Sequence, residues 1–223
     1  MSISTEEKEL TIIIGHICDY MAGMVSPTGE QAAVLRRQIG DMKSNGVQYL
    51  MDNVFGTNLW NCFVTARTLP ITANTVAVVR EKIYTETPTG PIAHLVVNSA
   101  ILYCLTTESV LLTGQTFKCS DDVLAMMKRM KAAFDAAREV AADAMDSATY
   151  QNVTYLAGSL INHLNLTALQ LPKIVQFSYQ TNLPSLFLAN LIYQDTTRSD
   201  ELIDENKVVH PLFMPLQIQG LSA

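Results

Sequence analysis

The spacing of apolar positions predicts a run of amphipathic helices, with a change of period near the end of the chain. Leu10, Ile13, Ile14, Ile17 and Met21 recur at the three- and four-residue intervals of one helix face. Ser4-Thr5 ahead of Glu6-Glu7 supplies a cap and acidic residues for the first turn, where the helix dipole favours negative charge. Pro27-Thr28-Gly29 breaks this pattern. A second helix is expected from Glu30 to about Asn45, with Ala33, Leu35, Ile39 and Met42 as its stripe. Gly46 and Gly56 punctuate the next stretch, and Trp60, Phe63 and Val64 lie on a segment without a decisive period. After Pro70, the cap-like cluster Thr72-Ala73-Asn74-Thr75 leads into Val76, Val79 and Ile83, a third helix.

Thr87-Pro88-Thr89-Gly90-Pro91 is the clearest turn signal and places a boundary there. Residues 1–89 are then an N-terminal helical region of unknown type, residues 90–171 a second helical region, and residues 172–223 a small C-terminal module. Ile92–Leu112 is apolar and reads as a buried helix, with strand open for part of it. Ser120-Asp121-Asp122 caps the next helix. There Met126, Met130, Ala133, Ala137, Val140 and Ala144 form a heptad seam, opposite Lys128, Lys131, Asp135, Arg138, Glu139 and Asp143. A helix over Ala148–Leu169 presents Val153, Leu156, Leu160, Ile161 and Leu164. Gly158-Ser159 within it reads as a site of close helix packing, and Pro172 closes it.

The period then drops to two. Val175, Phe177 and Tyr179 alternate with Gln176, Ser178 and Gln180, the pattern of a half-buried strand. Asn182-Leu183-Pro184-Ser185 turns the chain into a helix over Ser185–Tyr193. Asp195-Thr196-Thr197 caps a second, Arg198–Glu205, which Asn206 is expected to end in the left-handed conformation. His210-Pro211 and Met214-Pro215 frame an extended loop, and Leu216-Gln217-Ile218 returns as a strand. The fold class is therefore mainly α, helical domains followed by a small strand–helix–helix–strand module.

Composition narrows the function. Of the 223 residues, 48% are hydrophobic and only 16% charged, against about 25% in ordinary soluble domains. So little charge implies apolar surface buried in an assembly. The net charge of −6 and the scattered basic residues argue against direct binding of nucleic acid, which needs clustered Lys and Arg. Cys18, Cys62, Cys104 and Cys119 are far apart, with no C-x-x-C pair, and read as reduced core thiols made in the cytosol. The N-terminus lacks the basic start of a secretory signal. Ile92–Leu112, interrupted by polar residues, falls short of about 18 unbroken apolar residues, so no membrane contact is expected.

Candidate chemistry is sparse. His16, His94, His163 and His210 form no ligand pair, and no metal or other cofactor is expected. His163 reads as a core or boundary residue. His210, held extended by Pro211, reads as a loop pin. No G-x-S-x-G elbow, phosphate loop or dinucleotide fingerprint is present. Asp200-Glu201 with Asp204-Glu205 reads as a solvated helix face, and Arg198 is placed to reach Glu201 or Asp195. The chain is not expected to be an enzyme.

The run from Leu183-Pro184-Ser185-Leu186 through Ile192-Tyr193-Gln194-Asp195-Thr196-Thr197-Arg198-Ser199-Asp200-Glu201 and Asn206 to His210-Pro211-Leu212-Phe213-Met214-Pro215 resembles one family. It is similar to the C-terminal end of the DNA-circularisation proteins of Mu-like phages, which are tail and baseplate components. The specific part is Leu183–Pro215, and Ser120–Leu171 is similar in character to the alanine-rich helices before that ending. The unit also resembles a degenerate LysM module, with Gln194 in place of the usual Gly after Tyr193 and no Pro-Gly turn before the last strand.

The resemblance implies a structural component of a long phage tail, at the junction of baseplate hub and tube. It would join neighbouring subunits during virion assembly, in a trimer or hexamer. Tyr193, Asp195, Arg198, Asp200, Asn206, His210, Pro211 and Phe213 are the implied clip residues. Tyr193 and Phe213 would anchor by burial, Asp195 would cap, and Asn206 and His210 would fix the loop. Partners would be other tail proteins and further copies of the chain, in the virion, after synthesis in the host cytoplasm. The alternatives are a peptidoglycan-binding LysM-like module at the cell wall, a peptidoglycan hydrolase and a DNA-end-binding protein.

Overall fold

The computed structural model describes residues 5–25, 28–144 and 146–222, and the protein is mainly α. Ser4 and Pro27, expected to cap and to break the first helix, lie outside the described residues. The chain divides into two compact units. The first comprises residues 1–115 and 130–160, the second residues 116–129 and 161–223.

In the first unit, α1 (Thr5–Ala22) buries the full apolar face expected of it, Leu10 to Met21. Its partner α2 (Glu30–Met51) runs past Gly46, with Ala32 rather than Ala33 on its buried stripe. Gly46 is a packing notch, not a break. A Cβ there would lie 2.7 Å from Cγ2 of Ile14, itself fully buried on α1. The helix backbones approach closely only because no side chain intervenes. α3 (Phe55–Ala66) takes up the undecided segment and buries Leu59, Cys62 and Phe63. The Thr72 side chain caps α4 (Ala73–Ile83) by accepting from the Thr75 N–H at 3.2 Å.

The turn at 87–91 joins two helices of this one unit, so the expected boundary between residues 89 and 90 falls inside it. The Glu9 carboxylate on α1 accepts from Thr89 Oγ1 at 2.8 Å and from the Thr89 and Gly90 N–H groups. These bonds hold Glu9 below the usual carboxylate range. They also set the start of α5 (Pro91–Thr113), which is helical throughout. By length and composition α5 could cross a membrane, with a mean hydropathy of 1.6 over its window, contrary to the expectation from unbroken apolar runs. Here it is a core helix packed against α1, α3 and α4. One charged pair is buried within that packing. Arg80 Nε donates to Glu108 Oε1 at 2.7 Å, with the side chains 6% and 0% exposed.

α6 (Ser120–Asp143) and α7 (Ser147–Gln170) contribute residues to both units. On α6 the buried apolar positions are Val123, Met130, Ala133, Phe134, Ala137 and Ala141. Val140 and Ala144 of the expected seam are exposed, and Met126 is half-buried. The buried face is centred on Val123, Met130, Phe134, Ala137 and Ala141, and Val140, about 80° from Met130 on a 3.6-residue helix, lies at its edge. On α7, Val153, Ala157, Leu160 and Leu164 are buried. His163 is exposed, one position away from the Leu164 face, so it is not the expected core or boundary residue. Gly158 is exposed and meets nothing within 4 Å, so no helix packs at that point.

In the second unit, β1 (Ile174–Ser178) pairs antiparallel with β2 (Gln217–Leu221), Phe177 opposite Ile218. Between them run α8 (Ser185–Tyr193), a 3-10 turn over Thr196–Arg198, and α9 (Ser199–Asn206), in the expected strand–helix–helix–strand order. Leu188, Ala189, Leu202, Met214 and Ile218 form the core, with Phe177, Tyr179, Ile192 and Tyr193 around it. This unit is larger than the expected 172–223 module. Ser120 N donates to Pro172 O, and Ile174 N to Asp121 Oδ2, which ties the start of α6 to the start of the sheet.

Candidate functional site

The expected clip residues all lie in the second unit, where they divide between framework and surface. Asp195 caps as expected. Its carboxylate accepts from Thr197 Oγ1 at 2.7 Å and Thr197 N at 2.9 Å, and these bonds keep it below the usual carboxylate range. Arg198 forks onto Glu201, Nη2 to Oε1 at 2.7 Å and Nε to Oε2 at 3.0 Å. Its guanidinium lies 3.7 Å from the Tyr193 ring centroid, a cation–π contact. Tyr193 is half-buried, and its hydroxyl sits over Gly220 of β2. A Cβ on Gly220 would lie 2.5 Å from that oxygen, so the glycine makes room for the ring. Burial, then the charge of Glu201, raises the Tyr193 pKa. Asp200 stands exposed in the first turn of α9.

Asn206 does something the sequence pattern did not reveal. It stays helical, and Lys207 takes the left-handed conformation at φ 50°. Asn206 Nδ2 donates to Gln219 O at 2.7 Å and to Leu202 O at 2.8 Å, and its Oδ1 accepts from Gln219 N at 2.8 Å. The side-chain amide thus imitates one residue of a neighbouring strand and fastens α9 to β2. The signal, an amide at a helix end, is shared by ordinary helix caps. Gln194, at φ 56°, occupies the left-handed region. That is a position where glycine avoids the cost of a Cβ.

The loop between α9 and β2 inverts one expectation. Phe213 does not anchor by burial: it is 66% exposed, and the neighbouring Met214 is fully buried in its place. The His210 ring packs beside Phe213, with centroids 5.5 Å apart. The turn is pinned by the His210 carbonyl, which accepts from Phe213 N at 3.0 Å, rather than by the ring. Pro211 O accepts from Ser185 N at 2.8 Å, and Leu183 O accepts from Met214 N at 3.1 Å. Asn182 Nδ2 donates to Met214 O at 2.9 Å.

These bonds lay the loop against the chain entering α8. Leu186 and Phe187 stand exposed on one side of that seam, and Leu212 and Phe213 on the other. Leu191 extends the strip one turn along α8, and Val209 is 99% exposed at the loop's start. Sequence reasoning missed Leu186, Phe187 and Leu212. α8 turns Leu188 and Ala189 into the core, which leaves Leu186 and Phe187 outward.

Beside the sheet is a mostly polar groove of about 550 Å³, where Phe177 and Ile218 lie among Gln176, Ser178, Glu205, Asn206, Gln217 and Gln219. No cluster of three or more His, Cys, Asp or Glu that could hold a metal occurs among the described residues. All four cysteines are free and buried. Burial pushes the Cys18 thiol up to about 12 and that of Cys62 up to about 11, so neither is a thiolate near neutral pH. No family model matches the chain, and no curated protein matches it.

Proposed function

We propose that the protein is a structural subunit of a long phage tail, at the junction of baseplate hub and tube, whose C-terminal unit joins neighbouring subunits. The observation that carries this reading is the apolar strip of Leu186, Phe187, Leu212 and Phe213 on a loop and helix locked together by backbone bonds. Large side chains held out rigidly in water suit a permanent contact, since little entropy is lost when they are covered. The resemblance of Leu183–Pro215 to the ending of the DNA-circularisation proteins supplies the setting. The left-handed backbone at Gln194 suits that resemblance, because the related pattern has glycine there. Tyr193, Asp195, Arg198 and Asn206 act as framework in this reading, and Phe213 as contact.

A second reading, a peptidoglycan-binding module, is favoured by the polar groove along Gln176, Glu205, Gln217 and Gln219. Amide side chains suit the hydroxyls and amides of a glycan. Retention of the purified protein on purified peptidoglycan, lost on Gln217→Ala with Gln219→Ala, would favour this reading over the first.

The assembly reading is tested by Phe187→Asp combined with Phe213→Asp. Both side chains are exposed, so unfolding stability is expected to change by no more than about 0.5 kcal/mol per site. Loss of two aromatic anchors from a contact costs about 2 kcal/mol or more each. Virions produced with this variant are expected to lack the subunit or to carry incomplete tails. Normal tails containing the variant would count against the strip as the contact.

A further inference from the structure

The two edges of the C-terminal sheet are treated differently. Tyr179 N donates to Leu216 O, and Ser222 N to Lys173 O, so these residues form hydrogen-bonded pairs in the register that sets Phe177 opposite Ile218. Such pairs alternate along an antiparallel ladder. Ile174, Gln176 and Ser178 on β1, and Gln217, Gln219 and Leu221 on β2, therefore turn their backbone groups outward. On β2 the central outward residue, Gln219, has both groups taken by Asn206. On β1 the Ile174 N–H is taken by Asp121. Gln176 and Ser178 are exposed, and their outward N–H and C=O groups have no partner among the described residues.

An open strand edge is a template for another strand, and proteins usually guard it with charge, proline or a bulge. Past Ile174, where the Asp121 carboxylate stands, this edge carries none of these. From Ile174 to Asn182 the chain has no charged residue and no proline. We infer that β1 pairs with β1 of a second copy across a twofold axis, centred on Phe177, to give a four-stranded antiparallel sheet.

The sequence is self-complementary in that register. Gln176 meets Ser178 of the other copy twice, and the four outward backbone groups at these positions in each copy are all satisfied. Val175, which is 38% exposed, comes opposite Tyr179 of the other copy on the same face as Phe177. An aromatic ring against a β-branched side chain is a favourable cross-strand pair. On the opposite face Gln176 meets Ser178, Ile174 comes opposite Gln180, and no like charges meet. A charged or proline-bearing strand would gain less here, which favours a second copy over a generic partner. The inference rests on the strand edge alone and is independent of the tail reading.

Proline at Gln176 tests it selectively. The Gln176 N–H does not bond to β2, so Gln176→Pro removes only an outward donor and leaves the ladder intact. The full-length wild type, Gln176→Pro and Gln176→Ala would be compared by sedimentation equilibrium, with helix content checked by circular dichroism. The wild type is expected to be a monomer–dimer equilibrium. Gln176→Pro is expected to weaken it at least about tenfold, since two equivalent hydrogen bonds are lost per dimer, and Gln176→Ala by less than about threefold. Ser178→Lys, which guards the edge with charge, is read in the same way if the proline variant fails to fold. A wild type that stays monomeric to about millimolar concentration overturns the inference. So does association that proline, or lysine in its place, leaves unchanged.

Discussion

Glu108→Ala is expected to destabilise the helical unit by about 3–5 kcal/mol, the usual cost of breaking a buried ion pair by removing one partner. Glu108 is fully buried on α5, and the Arg80 guanidinium that it holds is almost fully buried on α4. Burial alone would disfavour the charged arginine, but the hydrogen bond and charge of Glu108 outweigh it and raise its pKa. Alanine would leave a desolvated cation without that counterion, at the interface of α4 and α5. The pair itself adds little net stability, because both charges were taken out of water to form it. Arg80→Met with Glu108→Leu is therefore expected to recover most of the loss, or to exceed the wild type. Urea unfolding followed by circular dichroism measures both. A single variant within about 1 kcal/mol of wild type would show that water or another group solvates Arg80.

Asn206→Ala is expected to cost the C-terminal unit about 2 kcal/mol, from the loss of three hydrogen bonds partly replaced by water. Its effect is local and directional. The Gln219 amide, protected by Asn206 Oδ1, is expected to lose its direct protection, while the Ile218 amide, on the β1 side, speeds only as far as the unit's lost stability allows. Asn206→Asp separates the parts. Its carboxylate can still accept from Gln219 N, but it cannot donate to Gln219 O or Leu202 O. Protection at Gln219 should thus survive in part in Asp and vanish in Ala. Equal exchange in both variants would mean that the donor side of the amide carries the attachment. Unchanged exchange in both would mean that α9 holds β2 without it.

The elements that were legible in the sequence are those whose own period decides them. The face from Leu10 to Met21 buries as spaced, and the alternation around Phe177 marks a real strand, although Val175 is exposed and Tyr179 lies past its end. Capping at Thr72 and Asp195 was equally local and equally legible. Features set by a neighbouring element were not. Gly46 looked like a stop because glycine is a poor helix former, yet Ile14 on another helix requires its small size. Val140 has the spacing of the seam but lies at the edge of the face that α6 buries. Phe213 looked like an anchor because aromatic rings usually bury, but Met214 takes the core position and Phe213 faces out. The turn at Pro88 and Pro91 looked like a domain boundary, since nothing in its composition shows that Glu9 ties it to α1. Of the expected site residues, the framework roles of Asp195 and Arg198 were readable from short-range spacing. The contact strip was not, because Leu186 and Leu212 are 26 positions apart in sequence.

A chain built into phage tails must be found in finished particles. Immunogold labelling of density-purified particles, with an antibody against residues 172–223, looks for it there. Label is expected at one end of the tail, where hub and tube meet, with the protein among the particle's components by mass spectrometry. Abundant protein in the lysate, with none in purified particles, would contradict the tail assignment.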